Sequence, residues 1–530
     1  MSFILNIPSI LALVIVSFVI KKFIESLYVD FHGHLSHIPG PLFSFFTSIK
    51  VTYLQVTGTV WKWTRTLHKT YGPIVKIGDG FVLVGNRDAI KQILVTKELP
   101  KSPLYLRFRA RPDIPTLFTA LLTRSLYILN FQKRRLLSHA FGMKTIASFE
   151  PLMHSCVYDL VETIDSRILN FPRKNGATLN LYQMLQYATL DIIGETAFGG
   201  SFGLVKTGYN PLPDEVNRRL RHVTLRSVVP MYSYFVKDPT YLKEVSIRKL
   251  VNREMSVAHR NAYVYEVASM DEFMDKLISE RRKDVTAMRQ DLLQLLLDAG
   301  SSEGQGLTDL ELIAQVVEFM IAGSDTTGWS ITMIIMLLLQ HPEKKTTLLE
   351  ELDKALEGLD KDELPPHEIL KKLPYLNAVI NETMRLWPVS LANGPVKRTV
   401  EDIVLCGYVI PANVCIWDKV RLRVRANTQV SANIYQLHHS ADLWGDDVEE
   451  FIPERWLNPE NLPKDAFYPF SAGSRNCIGN NFALQEIRLL VATLLHRYRL
   501  EEIAGQNLDM VQYVTPAFKT KTYNVQFYER

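Results

Sequence analysis

The chain has 530 residues, of which 47% are hydrophobic and 22% charged, and its formal net charge is +4. This is ordinary globular composition, and so weak a charge gives no support for nucleic-acid binding. Length alone suggests several domains, but no linker rich in proline, glycine or serine divides the chain after residue 45. The cysteines are too few and too scattered for a disulfide framework, which favours a reducing compartment. They are Cys156, Cys406, Cys415 and Cys477.

The first predicted element is an apolar run over residues 3–20, followed directly by two lysines. Its 18 residues are just long enough to span a bilayer as a helix. A cleaved signal peptide is the alternative, but no basic residue precedes the run and no small-residue cleavage site is obvious. Because basic residues after a span favour a cytoplasmic body, we expect residues 1–22 to form a membrane anchor and residues 23–45 a linker.

Residues 37–41 place two prolines around a glycine, a stiff turn that cannot continue a helix. Residues 71–78 and 81–85 predict two short strands, because the Asp-Gly pair between them is a hairpin signal. A helical pattern follows over residues 88–95. Residues 150–300 are mostly helical in period, for example at 185–197 and 290–297, and carry no motif for a particular chemistry.

A long helical pattern over residues 307–340 opens with Thr308 and Glu311, which predict a capping box. Near its middle lies Ala-Gly-Ser-Asp-Thr-Thr, residues 322–327, a run with poor helix propensity. Such a conflict indicates a functional site, because small residues let a flat ligand approach the backbone; a simple helix kink is the alternative. A threonine hydroxyl bonded to a carbonyl would loosen the helix and admit water, and Asp325 could then deliver protons.

Residues 374–387 predict a further helix, in which Glu382 and Arg385 lie at i and i+3 and can pair. On its own such a pair would be a surface ion pair of little energetic value.

The most informative segment is Phe-Ser-Ala-Gly-Ser-Arg-Asn-Cys-Ile-Gly, residues 470–479, which precedes a helical run. It predicts a tight loop ending at a helix N-terminus, where backbone N–H groups favour the thiolate of Cys477 and a thiolate can bind haem iron. Gly473 and Gly479 permit positive φ and let a flat macrocycle approach the backbone. Arg475 could pair with a carboxylate such as a haem propionate. A buried structural cysteine is the alternative.

This segment resembles the haem-binding loop of the cytochrome P450 family, Phe-x-x-Gly-x-Arg-x-Cys-x-Gly, and matches it at every fixed position from Phe470 to Gly479. Four other segments match motifs of that family in the family's order. They are the proline-rich hinge at residues 37–41, the oxygen-activation motif at 322–327, Glu-x-x-Arg at 382–385 and Pro-Glu-Arg-Trp at 453–456.

The resemblance implies a fold that is mainly α with small β-sheets, a cytochrome P450-like haem-thiolate fold preceded by an N-terminal transmembrane helix. The catalytic domain would cover residues 46–530. The implied cofactor is haem b (iron protoporphyrin IX), with Cys477 as the axial ligand of its iron. By the same likeness, Thr326 is the hydroxyl beside the dioxygen that is activated, and Asp325 is its acidic partner.

The likeness also assigns supporting residues. Glu382, Arg385 and Arg455 would form a structural cluster behind the haem. Arg134 and Arg398 fall where the family places bases for the haem propionates, with Lys397 as the alternative to Arg398. A solvated basic face is the alternative for Arg134, because Asn130 stands where the family has tryptophan.

The implied reaction inserts one atom of O2 into a lipophilic substrate, while the other atom leaves as water. Electrons would come from NADPH-cytochrome P450 reductase, with cytochrome b5 as a candidate second donor, at the cytosolic side of the endoplasmic reticulum membrane. An O2-independent isomerase or dehydratase of the family is the alternative, although it would not need Thr326. Leu391, Ala392 and residues 103–125 are expected to line the substrate pocket.

Residues 414–427 do not fit, because the family normally lacks these 14 residues. Their basic residues alternate with apolar ones, which predicts a half-exposed strand. The segment is therefore either an extra hairpin or a translated intron in the gene model, which transcript sequencing would separate. It also motivates a second alternative, a non-catalytic or misfolded haem protein.

Overall fold

The chain forms two compact units in this computed structural model. The β unit comprises residues 1–102, 390–440 and 465–475, and the helical unit comprises residues 103–389, 441–464 and 476–530. The structure describes residues 7–78, 80–109, 114–121, 134–135, 137–138, 140–170, 176–208, 276–283, 291–303, 307–360, 362–392, 394–412, 415–418, 421–424 and 428–530.

Local sequence explains where several helices begin. Thr308 and Glu311 form the predicted capping box, in which each side chain accepts a hydrogen bond from the other residue's N–H. Pro342 and Pro374 each lie in the first turn of a helix, where a missing N–H costs nothing. The helices are α1 (Ile7–His32), α2 (Ser44–Val56), α3 (Val60–Tyr71), α4 (Arg87–Lys91), α5 (Met143–Ser148), α6 (Glu150–Asn170), α7 (Leu181–Ile193), α8 (Leu204–Thr207), α9 (Leu292–Glu303), α10 (Asp309–Gln340), α11 (Pro342–Ala355), α12 (His367–Leu370), α13 (Pro374–Leu386), α14 (Ile434–His438), α15 (Ala441–Trp444) and α16 (Asn480–Arg497).

The strands are short and form small sheets. The predicted hairpin is confirmed: Ile74–Lys76 pairs antiparallel with Phe81–Val84, and Val75 lies opposite Leu83. The strands are β1 (Ile74–Lys76), β2 (Phe81–Val84), β3 (Ala177–Asn180), β4 (Val396–Arg398), β5 (Ile403–Leu405), β6 (Tyr408–Ile410), β7 (Cys415–Asp418), β8 (Arg421–Val424), β9 (Gln429–Ala432), β10 (Tyr498–Glu502), β11 (Met510–Gln512), β12 (Pro516–Phe518) and β13 (Asn524–Glu529).

The β unit is built on a sheet with the strand order β1-β2-β9-β4. Strands β2 and β9 are parallel, whereas β1 and β4 run antiparallel to their neighbours. Leu67 of α3 packs with Val75 and Leu83 in a buried cluster, so that α3 covers this part of the sheet. The predicted helix at residues 88–95 is α4, continued by a π-helical turn at Gln92–Thr96.

The end of α1 is fixed within the β unit by a buried carboxylate. Asp30, whose side chain is fully buried, accepts hydrogen bonds from the N–H groups of Phe43 and Ser44. The Lys76 ammonium on β1 lies 3.5 Å from the same carboxylate. A buried charge of this kind is tolerated because it is both paired and hydrogen-bonded. Helix α1 therefore continues past residue 22 and ends against structured backbone.

The helical unit is organised around α10, which packs against α7 and α16. Two glycines allow α7 to approach closely: a Cβ on Gly323 would lie 2.7 Å from the Ile193 side chain, and one on Gly328 would lie 2.8 Å from Gln186. The helices predicted near residues 185–197 and 290–297 are α7, followed by a π-helical turn at Gly194–Phe198, and α9. The expectation of a mainly helical fold with small sheets is confirmed.

Within the described part of the chain, α10 is the helix that is long and apolar enough to cross a membrane. However, 72% of its apolar window is buried inside the protein, as expected for a core helix. The predicted N-terminal transmembrane helix stays a prediction.

Within the unusual segment at residues 414–427, β7 pairs antiparallel with β8 in a hairpin. Its flanks are held together, because the Thr399 hydroxyl donates to the Pro411 carbonyl at 2.8 Å and the Thr399 N–H donates to the Thr428 carbonyl at 3.0 Å. Strand β9, which follows, keeps both of its partners in the main sheet. The hairpin therefore does not interrupt the four-stranded sheet of β1, β2, β9 and β4.

We therefore expect deletion of residues 414–427 to change the free energy of unfolding by no more than about 1 kcal/mol, because shortening a surface loop alters only its closure entropy. Denaturant unfolding of both proteins, followed by circular dichroism, measures this. Loss of cooperative unfolding in the deletion variant would mean that the segment is an integral part of the β unit.

Candidate active site

Cys477 lies where the predicted loop meets the predicted helix. The loop ends in a 3-10 turn at Gly473–Arg475, and α16 begins at Asn480 with Gly479 as its N-cap residue. The thiol is free and exposed. This exposure opposes the alternative of a buried structural cysteine and leaves the sulfur accessible to a ligand.

The protein surrounding Cys477 does not by itself stabilise a thiolate. Although the residue is exposed, desolvation by the protein atoms around it raises the pKa of the thiol, while the Gly479 N–H and the Arg134 guanidinium oppose that rise. The Gly479 N–H at the helix terminus thus acts in the predicted direction, but desolvation by the surrounding protein outweighs it. A cation bound to the sulfur would reverse this balance, since a metal deprotonates the thiol that it binds.

The two loop glycines differ in their roles. Gly473 has φ 76°, which glycine permits, and a Cβ there would lie 2.1 Å from the Leu94 carbonyl oxygen. Its small size is therefore required by packing within the β unit. Gly479 has φ −86°, so it does not use the positive φ that glycine permits. A Cβ at Gly479 would be in ordinary contact with the Cys477 sulfur, at 4.0 Å.

Arg134 reaches the residue that precedes Cys477. Its Nη2 donates to the backbone carbonyl of Asn476 at 2.8 Å and to the Asn476 side-chain oxygen at 2.9 Å. Arg134 is half-buried, whereas its neighbour Arg135 is exposed. Asn130 lies outside the described residues.

The β unit holds the other predicted bases. Lys397 is buried on β4, and its pKa is lowered to about 8 by burial and by the Arg475 guanidinium, against the opposing charge of Glu98. Arg398, the residue predicted from the resemblance, is half-buried, and its N–H donates to the Pro100 carbonyl. The alternative, Lys397, is thus the base whose charge interacts with Arg475.

Phe470, the first residue of the loop motif, is half-buried in the β unit. The predicted pocket residues Leu391 and Ala392 are buried. Part of the predicted pocket stretch, residues 110–113 and 122–125, lies outside the described residues.

The motif at residues 322–327 lies within α10 and remains α-helical. The Thr326 hydroxyl donates to the Ala322 carbonyl at 2.7 Å, as predicted, but no break in the helix accompanies this bond. Gly323 faces α7, so its small size serves helix packing and not a ligand. Ala322 is exposed and Thr326 half-buried, so this side of the motif is open.

Asp325 points towards the hairpin formed by β11 and β12, near the C-terminus. The Thr515 hydroxyl donates to its Oδ2 at 3.5 Å. Burial raises the pKa of Asp325 to about 6, while the Lys521 ammonium and the Thr515 hydroxyl oppose the rise. The carboxyl can therefore exist in either protonation state near neutral pH, as a proton-transferring group requires.

Glu382 is the centre of a buried cluster. Its side chain and that of Arg385 are completely buried, and the two form a bidentate pair at 2.9 and 2.8 Å. Arg455 adds a bond at 3.1 Å, and the Trp456 indole N–H adds another at 2.8 Å. The guanidinium of Arg385 also donates to the Val448 carbonyl, which ties α13 to the segment at 441–464. This arrangement differs from the exposed pair that i,i+3 spacing alone suggests.

Sequence reasoning missed three residues of this region. Thr515 and Lys521 lie almost 200 positions from Asp325, and no motif links them. Glu486 on α16 is fully buried, and burial raises its pKa well above the usual value, opposed by the Thr327 hydroxyl. A lone acid in the largely apolar run that forms α16 was the signal that could have found Glu486.

Replacing Glu382 with glutamine should lower the free energy of unfolding by about 3 to 5 kcal/mol, because two arginines would lose their buried counter-charge. Arg530→Gln is the matched control, since Arg530 forms a bidentate but half-exposed pair with Asp353. We expect it to cost no more than about 1 kcal/mol. Denaturant unfolding of the three proteins gives the values, and equal losses in both variants would contradict this account of the cluster.

Comparison with known proteins agrees with this geometry. Residues 38–527 match the family model described as Cytochrome P450. A cytochrome P450 monooxygenase from a Fusarium species is 31% identical over 94% of this chain and 89% of its own length, and one from Aspergillus aculeatus is 32% identical over 93% and 91%. The solved haem domain of cytochrome P450DA superposes with a TM-score of 0.70 at 22% identity, covering 89% of this chain and 93% of that domain, which shows a shared fold. The chain belongs to the cytochrome P450 family.

Proposed function

We propose that this cytochrome P450 monooxygenase holds haem b through Cys477 as the axial ligand of the iron. The observation that carries the proposal is the position of the Cys477 thiol, exposed at the start of an 18-residue helix and next to Arg134. A single thiolate suits haem iron. Within the described residues, no group of three or more His, Cys, Asp or Glu side chains could bind a metal ion in its place.

The residues present also fit the carboxylates of such a cofactor. Lys397 and Arg475 are neighbouring cations in the β unit, and Lys397 has a lowered pKa. A propionate there would relieve their mutual repulsion. From the family resemblance we also propose Arg134 and Arg398 as candidate bases for the propionates.

When bound, the haem supplies the reductive activation of dioxygen, and the reaction places one oxygen atom in a lipophilic organic substrate. We assign Thr326 and Asp325 to proton delivery. The half-buried Thr326 hydroxyl lies on the open side of α10, next to the exposed Ala322. Asp325 precedes it with a pKa of about 6, so it can take up and release a proton near neutral pH. The proposed electron donors are NADPH-cytochrome P450 reductase and cytochrome b5.

We further propose that α1 anchors the protein in the endoplasmic reticulum membrane, with the catalytic domain on the cytosolic side. Exposed apolar side chains run along α1 from Leu13 to Phe31. Near the lysines that follow the apolar run, the Lys22 ammonium lies over the rings of Phe18 and Phe45, at 5.9 and 5.7 Å. Aromatic and basic side chains are typical of a membrane interface. Helix α2 adds the exposed side chains of Phe46, Ile49, Tyr53 and Val56.

The ligand assignment predicts the absorption spectrum of the reduced, carbon-monoxide-bound protein. The unmodified chain should give the strongly red-shifted Soret band of thiolate-ligated haem, and Cys477→Ser should lose it, because a hydroxyl is not ionised under these conditions. Cys406→Ser is the control, since Cys406 is another free thiol and lies in the β5–β6 turn. Persistence of the band in Cys477→Ser would show that another residue is the ligand.

The proton-delivery assignment predicts a change in how efficiently electrons yield product. Thr326→Val should lower product formed per NADPH consumed, on the order of 10²-fold, and increase hydrogen peroxide release, because the hydroxyl is lost. Thr332→Val is the matched control: Thr332 lies on the same helix and its hydroxyl makes the same bond to the carbonyl four residues back, at 2.7 Å. Unchanged coupling in Thr326→Val would reject the assignment.

A further inference from the structure

Asp325 is held from the side of the C-terminal strands. Thr515 lies in the short connection between β11 and β12, and its hydroxyl is the side-chain donor to the Asp325 carboxylate. The connection is fixed by the pairing of β11 with β12, in which Met510 lies opposite Phe518 and Gln512 opposite Pro516. The donor is therefore positioned by strand pairing and not by α10 itself.

Lys521 follows in a turn with a defined backbone. Its N–H donates to the Phe518 carbonyl at 2.9 Å, and its carbonyl accepts from the Asn180 side chain at 3.3 Å. Its φ is 55°, in the left-handed region that few residues other than glycine adopt.

The other titratable groups around Asp325 differ in the charge they bring. Tyr182 on α7 is uncharged near neutral pH, because burial and Asp325 itself raise its pKa. Glu486 on α16 lies beside Thr327, and burial raises its pKa as well. Among the described groups that act on Asp325, Lys521 thus supplies the positive charge.

We infer that Thr515 is a positioning residue for Asp325, because its hydroxyl, fixed by the pairing of β11 with β12, orients the carboxyl towards that hairpin. Lys521, in the turn that follows β12, is the cation that acts on the same carboxyl. This inference rests on the proposed role of Asp325 in proton delivery. The Lys521 side chain is exposed and Asp325 is half-buried, so the hairpin side is where the carboxyl can exchange its proton with solvent. Without these two groups, burial would favour the protonated carboxyl more strongly, and Asp325 would release its proton less readily.

Infrared difference spectroscopy tests this inference on the resting protein, without substrate or reductase. The carbonyl stretch of protonated Asp325 is the band that isotopically labelled aspartate shifts and that Asp325→Asn removes. Its titration midpoint should rise by about 1 pH unit in Lys521→Met and rise also in Thr515→Val, because each loses a group that stabilises the carboxylate. Lys521→Arg should keep the original midpoint.

Lys519→Met is the matched control, because Lys519 is an equally exposed lysine two residues away, whose N–H donates to the Asp509 carbonyl. It should leave the midpoint unchanged. The inference is overturned if Lys521→Met and Thr515→Val titrate like the unmodified protein, or if Lys519→Met shifts the midpoint equally. Unchanged coupling in Asp325→Asn would instead reject the role of Asp325, while the infrared midpoints would still report whether Lys521 acts on it.

Discussion

The structure depends on a charge that has no access to water. The Glu382 carboxylate is completely buried, and burying an unpaired carboxylate would cost many kcal/mol. It is tolerated because five hydrogen bonds reach it, from Arg385, Arg455, Trp456 and the Ile452 N–H. Since these donors come from α13 and from the segment at 441–464, satisfying one charge fixes two parts of the chain that are far apart in sequence.

What could be predicted from the sequence depends on how far apart the interacting residues lie in the chain. Motifs whose residues are close together in the chain, such as Glu382 with Arg385 or the capping box of Thr308 and Glu311, encode their own geometry and are visible in the sequence. The Cys477 loop belongs to this class, because a loop entering a helix is a local event. The hairpin of β1 and β2 was likewise predicted from the Asp-Gly pair between the two segments in the sequence.

The sequence did not predict how deeply a residue is buried or which residues far away in the chain contact it. The positive φ of Gly473 is predictable, but its small size is required by the Leu94 carbonyl oxygen, which would lie 2.1 Å from a Cβ at this position and which no local pattern reveals. The helix terminus that lowers the pKa of Cys477 is visible in the sequence, whereas the desolvation that raises this pKa is not. Likewise, i,i+3 spacing predicts that Glu382 and Arg385 can pair but not that the pair is buried.

Asp325 on α10 and Glu486 on α16 show how different surroundings can suit two similar acids to different roles. Burial raises the pKa of both Asp325 and Glu486, but the groups that oppose this rise are different. Asp325 has a lysine and a hydroxyl that favour its charged form, which leaves its pKa at about 6. For Glu486 only the Thr327 hydroxyl opposes burial, so it remains a neutral acid. Carboxyls whose environments separate their pKa values in this way are suited to different tasks. Glu486 therefore suits a permanent packing role between α16 and α10, and Asp325 is the group that can change charge during a catalytic cycle.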